Sequence, residues 1–233
     1  MRSNRYTMLI DDLSVIKICN DKISAYNFLK NNNIKTPKTF LSINEIEEAV
    51  SKCIISFPII LKPRWGMGSI GIYKANNLNE CRFYYRKIKE LLKSSYLKYE
   101  SNNDINNAII FQEIAKGNEY GLNIINDLKG NYITSHPIKK LRMLSGETIN
   151  AVTSKKDSMK FLGKKIAKVL SHNGILDVDC IIDDDGKHIV LDMNARFGGL
   201  YPFSHIAGAN IPLAIIKWLK CEEINPAIYD ISY

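Results

Sequence analysis

What the chain lacks narrows its class first. Its five cysteines (Cys19, Cys53, Cys81, Cys180 and Cys221) are odd in number and scattered, with no CxxC pair and no Cys/His cluster. That spacing argues against a disulfide framework and a zinc site, and implies free thiols in a reducing compartment. No apolar run approaches the ~18 residues of a membrane span. The N-terminal stretch MRSNRYTMLIDD has no apolar segment of the secretory type. A cytoplasmic protein is expected, with neither membrane nor nucleic acid as partner. Internal repeats, low-complexity linkers and a Ser/His or Cys/His nucleophile pattern are also missing. Acidic residues are the minority, 24 against 32 Lys and Arg, for a formal net charge of +8. Such a balance suits an anionic ligand, or is simply a basic surface.

One further absence is informative. Residues 61–74, LKPRWGMGSIGIYK, hold three glycines within six residues, flanked by Lys62, Arg64 and Lys74. A phosphate loop of the common kind needs Gly-Lys-Ser/Thr after its glycines and then a helix. Here the lysine precedes the glycines, and the residues that follow read as a strand.

Periodicity gives the remaining elements. Helices are expected over 21–32, with Asp21 as N-cap, over 43–53, with Ser42 and Glu45 at capping-box spacing, and over 78–98, 157–172 and 210–220. Strands are expected over 39–41, 57–62, 70–74, 108–113, 176–182 and 188–193, and a hairpin pairs 120–125 with 132–138. Residues 101–107 and 139–154 read as polar loops. The sum is an α+β chain of two lobes meeting near Glu113.

The second lobe ends in an acidic hairpin, ILDVDCIIDDDGKHIVLDMNARFGG. Asp177 and Asp179 share one face of its first strand by period-two spacing, and Asp192 and Asn194 share one face of its second. Asp183, Asp184 and Asp185 are turn residues. Pairing through that turn brings Asp179 near Asp192. Two carboxylates and an amide oxygen make the hard-oxygen site that magnesium uses with nucleotide phosphates. Arg196, two residues beyond Asn194, adds a cation able to neutralise a transferred phosphoryl group. Asp177 by itself reads equally well as a solvated strand position.

These segments, in this order over roughly residues 20–220, resemble the ATP-grasp superfamily, and most nearly the ATP-grasp modules of carbamoyl-phosphate synthase large subunits and biotin carboxylases. The resemblance implies an ATP-grasp fold in which two α+β lobes sandwich the nucleotide. It divides the chain into a leading segment with its helix (1–35), a lid lobe (36–112) and a C-terminal lobe with the metal site (113–233). It puts Lys22 and Lys62 on the phosphates, with the loop residues Gly66, Gly68, Ser69 and Gly71 over them. It puts the hinge residues Gln112, Glu113, Ile114 and Ala115 at the adenine, and Glu119 at the ribose. Asp179, Asp192 and Asn194 become the metal ligands. Arg196, Arg142 and Lys62 become the catalytic cations, Arg142 lying in a segment with Lys139 and Lys140 where relatives place substrate-facing charge. Trp65 and Met67 either close over ligand or pack beneath the lid, and His205 is structural or borders the acceptor pocket.

The implied cofactors are ATP and Mg2+, with Mn2+ as an alternative. The implied activity is a ligase that makes an acyl phosphate from a small carboxylate and passes it to an amine or thiol. The alternatives are phosphorylation of bicarbonate or carbamate, as in carbamoyl-phosphate synthase, and a non-catalytic nucleotide-binding partner subunit. Two departures stand out. Asp192 occupies a position where glutamate is commoner. Few residues precede Lys22, so the N-terminal pre-ATP-grasp domain usual in the family, about 100 residues by ordinary domain size, is expected to be largely absent. A partner chain supplying that domain, or a homodimer, is the matching expectation.

Overall fold

The computed structural model describes residues 10–66, 68–144 and 146–233. The readings made on residues 1–9 and on Met67 lie outside them. Helices α1 (Leu13–Asn20) and α2 (Lys22–Asn31) come first. Asp21 caps α2, accepting from Ile23 N at 3.0 Å. The sequence reading has no counterpart of α1, which buries Val15 and Cys19.

β1 (Thr39–Phe40), α3 (Ile43–Ser51), β2 (Ile59–Pro63), β3 (Tyr73–Ala75) and α4 (Leu78–Ser94) follow. After α5 (Lys98–Ser101) and a 3-10 segment (Asn102–Asn107), where the sequence reading has a loop, comes β4 (Ile109–Glu113). The four strands pair antiparallel in the order β1-β4-β2-β3. Both covering helices start on a side-chain cap. Ser42 accepts from Glu45 N at 3.2 Å, and Asn77 accepts from Glu80 N at 2.9 Å. The two glutamates reach back to Leu41 N and Asn76 N, each at 2.9 Å. Alternation along β2 sends Ile59 and Leu61 into a core with Ile46, Ile88, Leu92 and Phe111. The same alternation leaves Lys62 on the opposite face.

The second sheet is built from β5 (Asn118–Asn126), β6 (Tyr132–Leu144), β7 (Glu147–Thr153), β8 (Ile175–Ile182) and β9 (His188–Asn194), with α6 (Asp157–Leu170) between β7 and β8. Its antiparallel order is β7-β6-β5-β8-β9. Leu122, Ile124, Leu176 and Val178 are fully buried and form one core with Met159 and Ile166 of α6 and with Ala25 and Leu29 of α2. Each such aliphatic side chain contributes roughly 1.5–3 kcal/mol by leaving water. Gly163 lets α6 lie close on β6, since a Cβ there would stand 2.2 Å from Ser135 Oγ. With the even positions of β5 and β8 committed to this core, the odd positions, Gly121, Asn123, Asp177 and Asp179, face the other way.

Residues 139–154, read as a loop, are mostly strand. β6 runs on to Leu144, and β7 pairs with it. None of β7 is buried, so it shows no apolar alternation. Its β-branched Thr148, Ile149, Val152 and Thr153 are the one strand signal it carries. α7 (Tyr201–Ile206), also without a sequence counterpart, precedes α8 (Ile211–Leu219). The architecture is the predicted α+β, with two antiparallel sheets. Among the described residues no helix is long and apolar enough to cross a membrane.

Candidate functional site

The faces left free by the two cores border a cleft of ≈ 420 Å³. One wall carries Lys62, Gly66, Gly68 and Ser69, with Lys22 from the start of α2. The other carries Glu119, Lys140, Asp179, Asp192, Asn194 and Arg196. The sequence reading named every one of these as a site residue except Lys140.

The glycine loop is anchored at its root. Lys22 Nζ donates to Gly66 O at 2.7 Å. Arg64 grips Asp21 with two bonds of 2.7 Å and reaches Asp104 at 3.0 Å. Its guanidinium lies 4.4 Å from the ring centre of Trp65, which packs against the first core. Beyond this root, Gly66, Gly68 and Ser69 have φ of +137°, +67° and +58°. Glycine adopts such conformations without strain, whereas Ser69 is held in the left-handed region. A loop of this kind turns successive N–H groups toward one side, which suits an anion.

On the opposite wall, Asp179 stands directly across from Asp192, and Asp177 from Asn194. A β-bulge makes this pairing. From the turn, Ile182 pairs with His188, Ile181 with Ile189 and Cys180 with Val190, but then Asp179 pairs with Asp192, leaving Leu191 as the extra residue. Were the strands paired regularly there, without a bulge, the ladder would set Asp179 opposite Leu191 and turn Asp192 and Asn194 to the far face. Leu191 and Asp192, consecutive in sequence, therefore both line the cleft.

The electrostatics follow from burial and crowding. Burial raises the Asp192 carboxyl above its ordinary range, against the pull of Lys22 and Lys62. Burial lowers the Lys62 ammonium to about 8, with Asp192 opposing and Lys22 adding to the shift. Lys22 is lowered too, again by burial first. Lys140 Nζ donates to Asp179 Oδ1 at 2.5 Å, its side chain only 9% exposed. Asp177, which the sequence left as a solvated candidate, is 7% exposed. Burial and then Asp179 push it up to about 7.

A magnesium ion fits this donor set. Asp179, Asp192 and Asn194 offer hard oxygens, and magnesium commonly takes one or two carboxylates and shares the rest of its shell with water and phosphate. Among the described residues no group of three or more His, Cys, Asp or Glu is placed to hold a metal ion. The Lys140 ammonium at Asp179 already marks where positive charge is wanted.

The remaining predicted residues fall elsewhere. Glu113, Ile114 and Ala115 line a second cleft of ≈ 420 Å³ at the hinge, with Lys35, Thr36, Pro37, Asp183 and Ile189. Glu113 is tied to the other linker, its N donating to Lys38 O at 2.9 Å and its carboxylate accepting from Lys38 N at 3.2 Å. Gln112 lines neither cleft; its buried amide donates to Thr39 Oγ1 at 2.9 Å. Gly71 lines neither, and its absent Cβ makes room for Leu91 and Pro63. Arg142 is exposed on β6 and lines neither cleft. Lys140, two residues earlier, points in. Regular alternation would put both on one face; the irregular pairing between Lys140 and Arg142 is what separates them. His205 meets the Tyr201 hydroxyl at 2.9 Å and stays outside both clefts.

Comparison with known proteins supplies the family context. The profile of the ATP-grasp domain matches residues 19–200. The arginine-specific large chain of carbamoyl phosphate synthase from Bacillus subtilis is 22% identical over 95% of this chain and 21% of its own length. D-alanine–D-alanine ligase from Francisella philomiragia is 24% identical over 76% of this chain and 57% of its own. The crystal structure of a biotin carboxylase in complex with a β-γ-ATP ligand, from Campylobacter jejuni, superposes with a TM-score of 0.76 at 14% identity, covering 95% of this chain and 50% of that one. The chain thus spans about a fifth of the carbamoyl phosphate synthase relatives it matches.

Proposed function

Because the chain belongs to the ATP-grasp domain family, we propose that it is an ATP- and magnesium-dependent ligase that phosphorylates a small carboxylate and passes the acyl group to an amine or thiol. The observation that carries this reading is the in-register pair Asp179 and Asp192, with Asn194, facing Lys62 and Lys22 across one cleft.

The chemical difficulty is to bring two anions together and to keep water from the product of their reaction. Lys62 and Lys22, on the lid side, hold the phosphates by charge and hydrogen bonds. Gly66, Gly68 and Ser69 offer backbone N–H groups from above. Magnesium, when bound at Asp179, Asp192 and Asn194, neutralises phosphate charge. Arg196 and Lys140 stand on the opposite wall and lower the repulsion that an incoming carboxylate meets. The carboxylate oxygen attacks the terminal phosphorus, ADP leaves, and an acyl phosphate remains. The amine or thiol then displaces inorganic phosphate from the acyl carbon and releases one proton. The glycine loop and the β6–β7 turn approach each other over the cleft, a Cβ at Gly146 falling 2.1 Å from Ser69 Oγ. That cover shields the acyl phosphate from water.

The test is ADP release from MgATP with pooled carboxylates, bicarbonate and amines, with hydroxylamine present to trap acyl phosphate as hydroxamate. Carboxylate-dependent ADP and hydroxamate are expected. Nucleotide binding without ADP from any acceptor would overturn the reading, and ADP with bicarbonate alone would replace it by a carboxyphosphate reaction. Arg196→Ala is expected to lower turnover by about 10²–10³ with nucleotide affinity nearly unchanged.

A further inference from the structure

We propose that the carboxylate substrate also carries an ammonium group, and that Asp177 receives it. This rests on the ligase reading and names the substrate class for it.

Asp177 lies on the cleft side of β8, one cleft-facing position beyond Asp179 and farther from the hinge. Glu119, opposite Ile181, marks the hinge end. Asp177 therefore belongs to the end where an acceptor must enter, beside Arg196. It is 7% exposed and its Oδ1 is buried without a hydrogen-bond partner among the described residues. The two nearby cations, Lys140 and Arg196, make their hydrogen bonds elsewhere. Lys140 donates to Asp179, and Arg196 Nη1 donates to Phe197 O at 2.9 Å. Directly opposite on β5, fully buried Asn123 has its own Oδ1 unpartnered while its amide nitrogen donates to Ser204 Oγ at 2.8 Å. Two directly paired residues thus each keep an acceptor oxygen without a donor among the described residues. Turning the Asn123 amide over, or a proton on Asp177, would supply one neutral donor between them, and neither gives the carboxylate a cation of its own.

The space is also kept clear. A Cβ at Gly198 would stand 1.7 Å from Asp177 Oδ2, so only bare backbone covers the carboxylate. A ligand that supplies N–H donors and positive charge to Asp177, and negative charge to Arg196, is a zwitterion: an amino acid, or another acid bearing an ammonium group.

Wild-type protein is assayed for ADP release with matched pairs, a pool of amino acids against the same acids without the amino group. Binding of the two pools is read in parallel by thermal shift with a non-hydrolysable ATP analogue. The ammonium-bearing acids are expected to be favoured by at least about tenfold, as for a charge-assisted bond. In Asp177→Asn that preference is expected to vanish through KM for the acid, with KM for ATP unchanged. Equal use of both pools by the wild type, or an unchanged acid KM in the variant, overturns the proposal. A thermal shift from potassium chloride alone that depends on Asp177 overturns it too, since the site would then take a metal cation. If no acid gives ADP, the ligase reading fails, and the binding arm still decides whether Asp177 selects ammonium.

Discussion

Lys62 meets the cleft with its ammonium already desolvated, lowered to about 8 by burial, with Asp192 opposing and Lys22 adding to the shift. A phosphate placed against it favours the charged form, so the free protein must take up a proton to bind ATP above that pH. ATP affinity is therefore expected to be level up to about pH 8 and to fall above it, by at most about tenfold per pH unit for one proton. Lys62→Met should bind about 10- to 100-fold more weakly and lose that slope. Calorimetric titration from pH 7 to 10 reads both effects, and an identical slope in the variant would take Lys62 off the phosphates. At this scale the sequence was a good guide where a residue type has one plausible job. Lys62, Asp179, Asp192, Asn194 and Arg196 all line one cleft. It was a poor guide where burial decides. Asp177 read equally well as a site acid and as a solvated strand residue, and no local pattern signals that Gly198 closes over it.

The strand pair β8–β9 shows what an element can hide. Equal-length pairing around the turn at 183–187 would have put Asp192 and Asn194 on the wrong face; the bulge at Leu191 puts them on the right one. The sequence reading reached the correct partner of Asp179 by facing the acids toward each other, without seeing the extra residue this requires. Deleting Leu191 makes the ladder regular with Asp192 still opposite Asp179, so the acid and amide keep facing the cleft and Met193 stays in the core it fully enters. That variant is expected to keep magnesium-dependent nucleotide binding, as is Leu191→Met. Loss of that binding by the deletion variant in calorimetry would show that the opposition of Asp179 and Asp192 is not by itself what builds the site. The β6–β7 pair was lost to the sequence for a different reason: an edge strand with no buried side chain leaves no period-two trace, and the irregular pairing that separates Lys140 from Arg142 leaves none either.

Across the whole molecule, the α+β class and the order of most strands were legible because two cores impose alternation on β2, β5 and β8. The leading helices were less so. α1 and α2 pack on the second core while Asp21 and Lys22 hold the loop of the first lobe, an arrangement that joins residues over forty positions apart. The central claim is that one cleft holds the phosphates of ATP between Lys62 and the pair Asp179 and Asp192. The most direct measurement is calorimetric titration of ATP into the protein with magnesium and with EDTA, repeated with Asp192→Asn. Binding in magnesium that weakens by at least about tenfold in EDTA, with most of that metal dependence gone in Asp192→Asn, is the predicted result. Equal affinity with and without magnesium, or an unchanged metal dependence in Asp192→Asn, would contradict it.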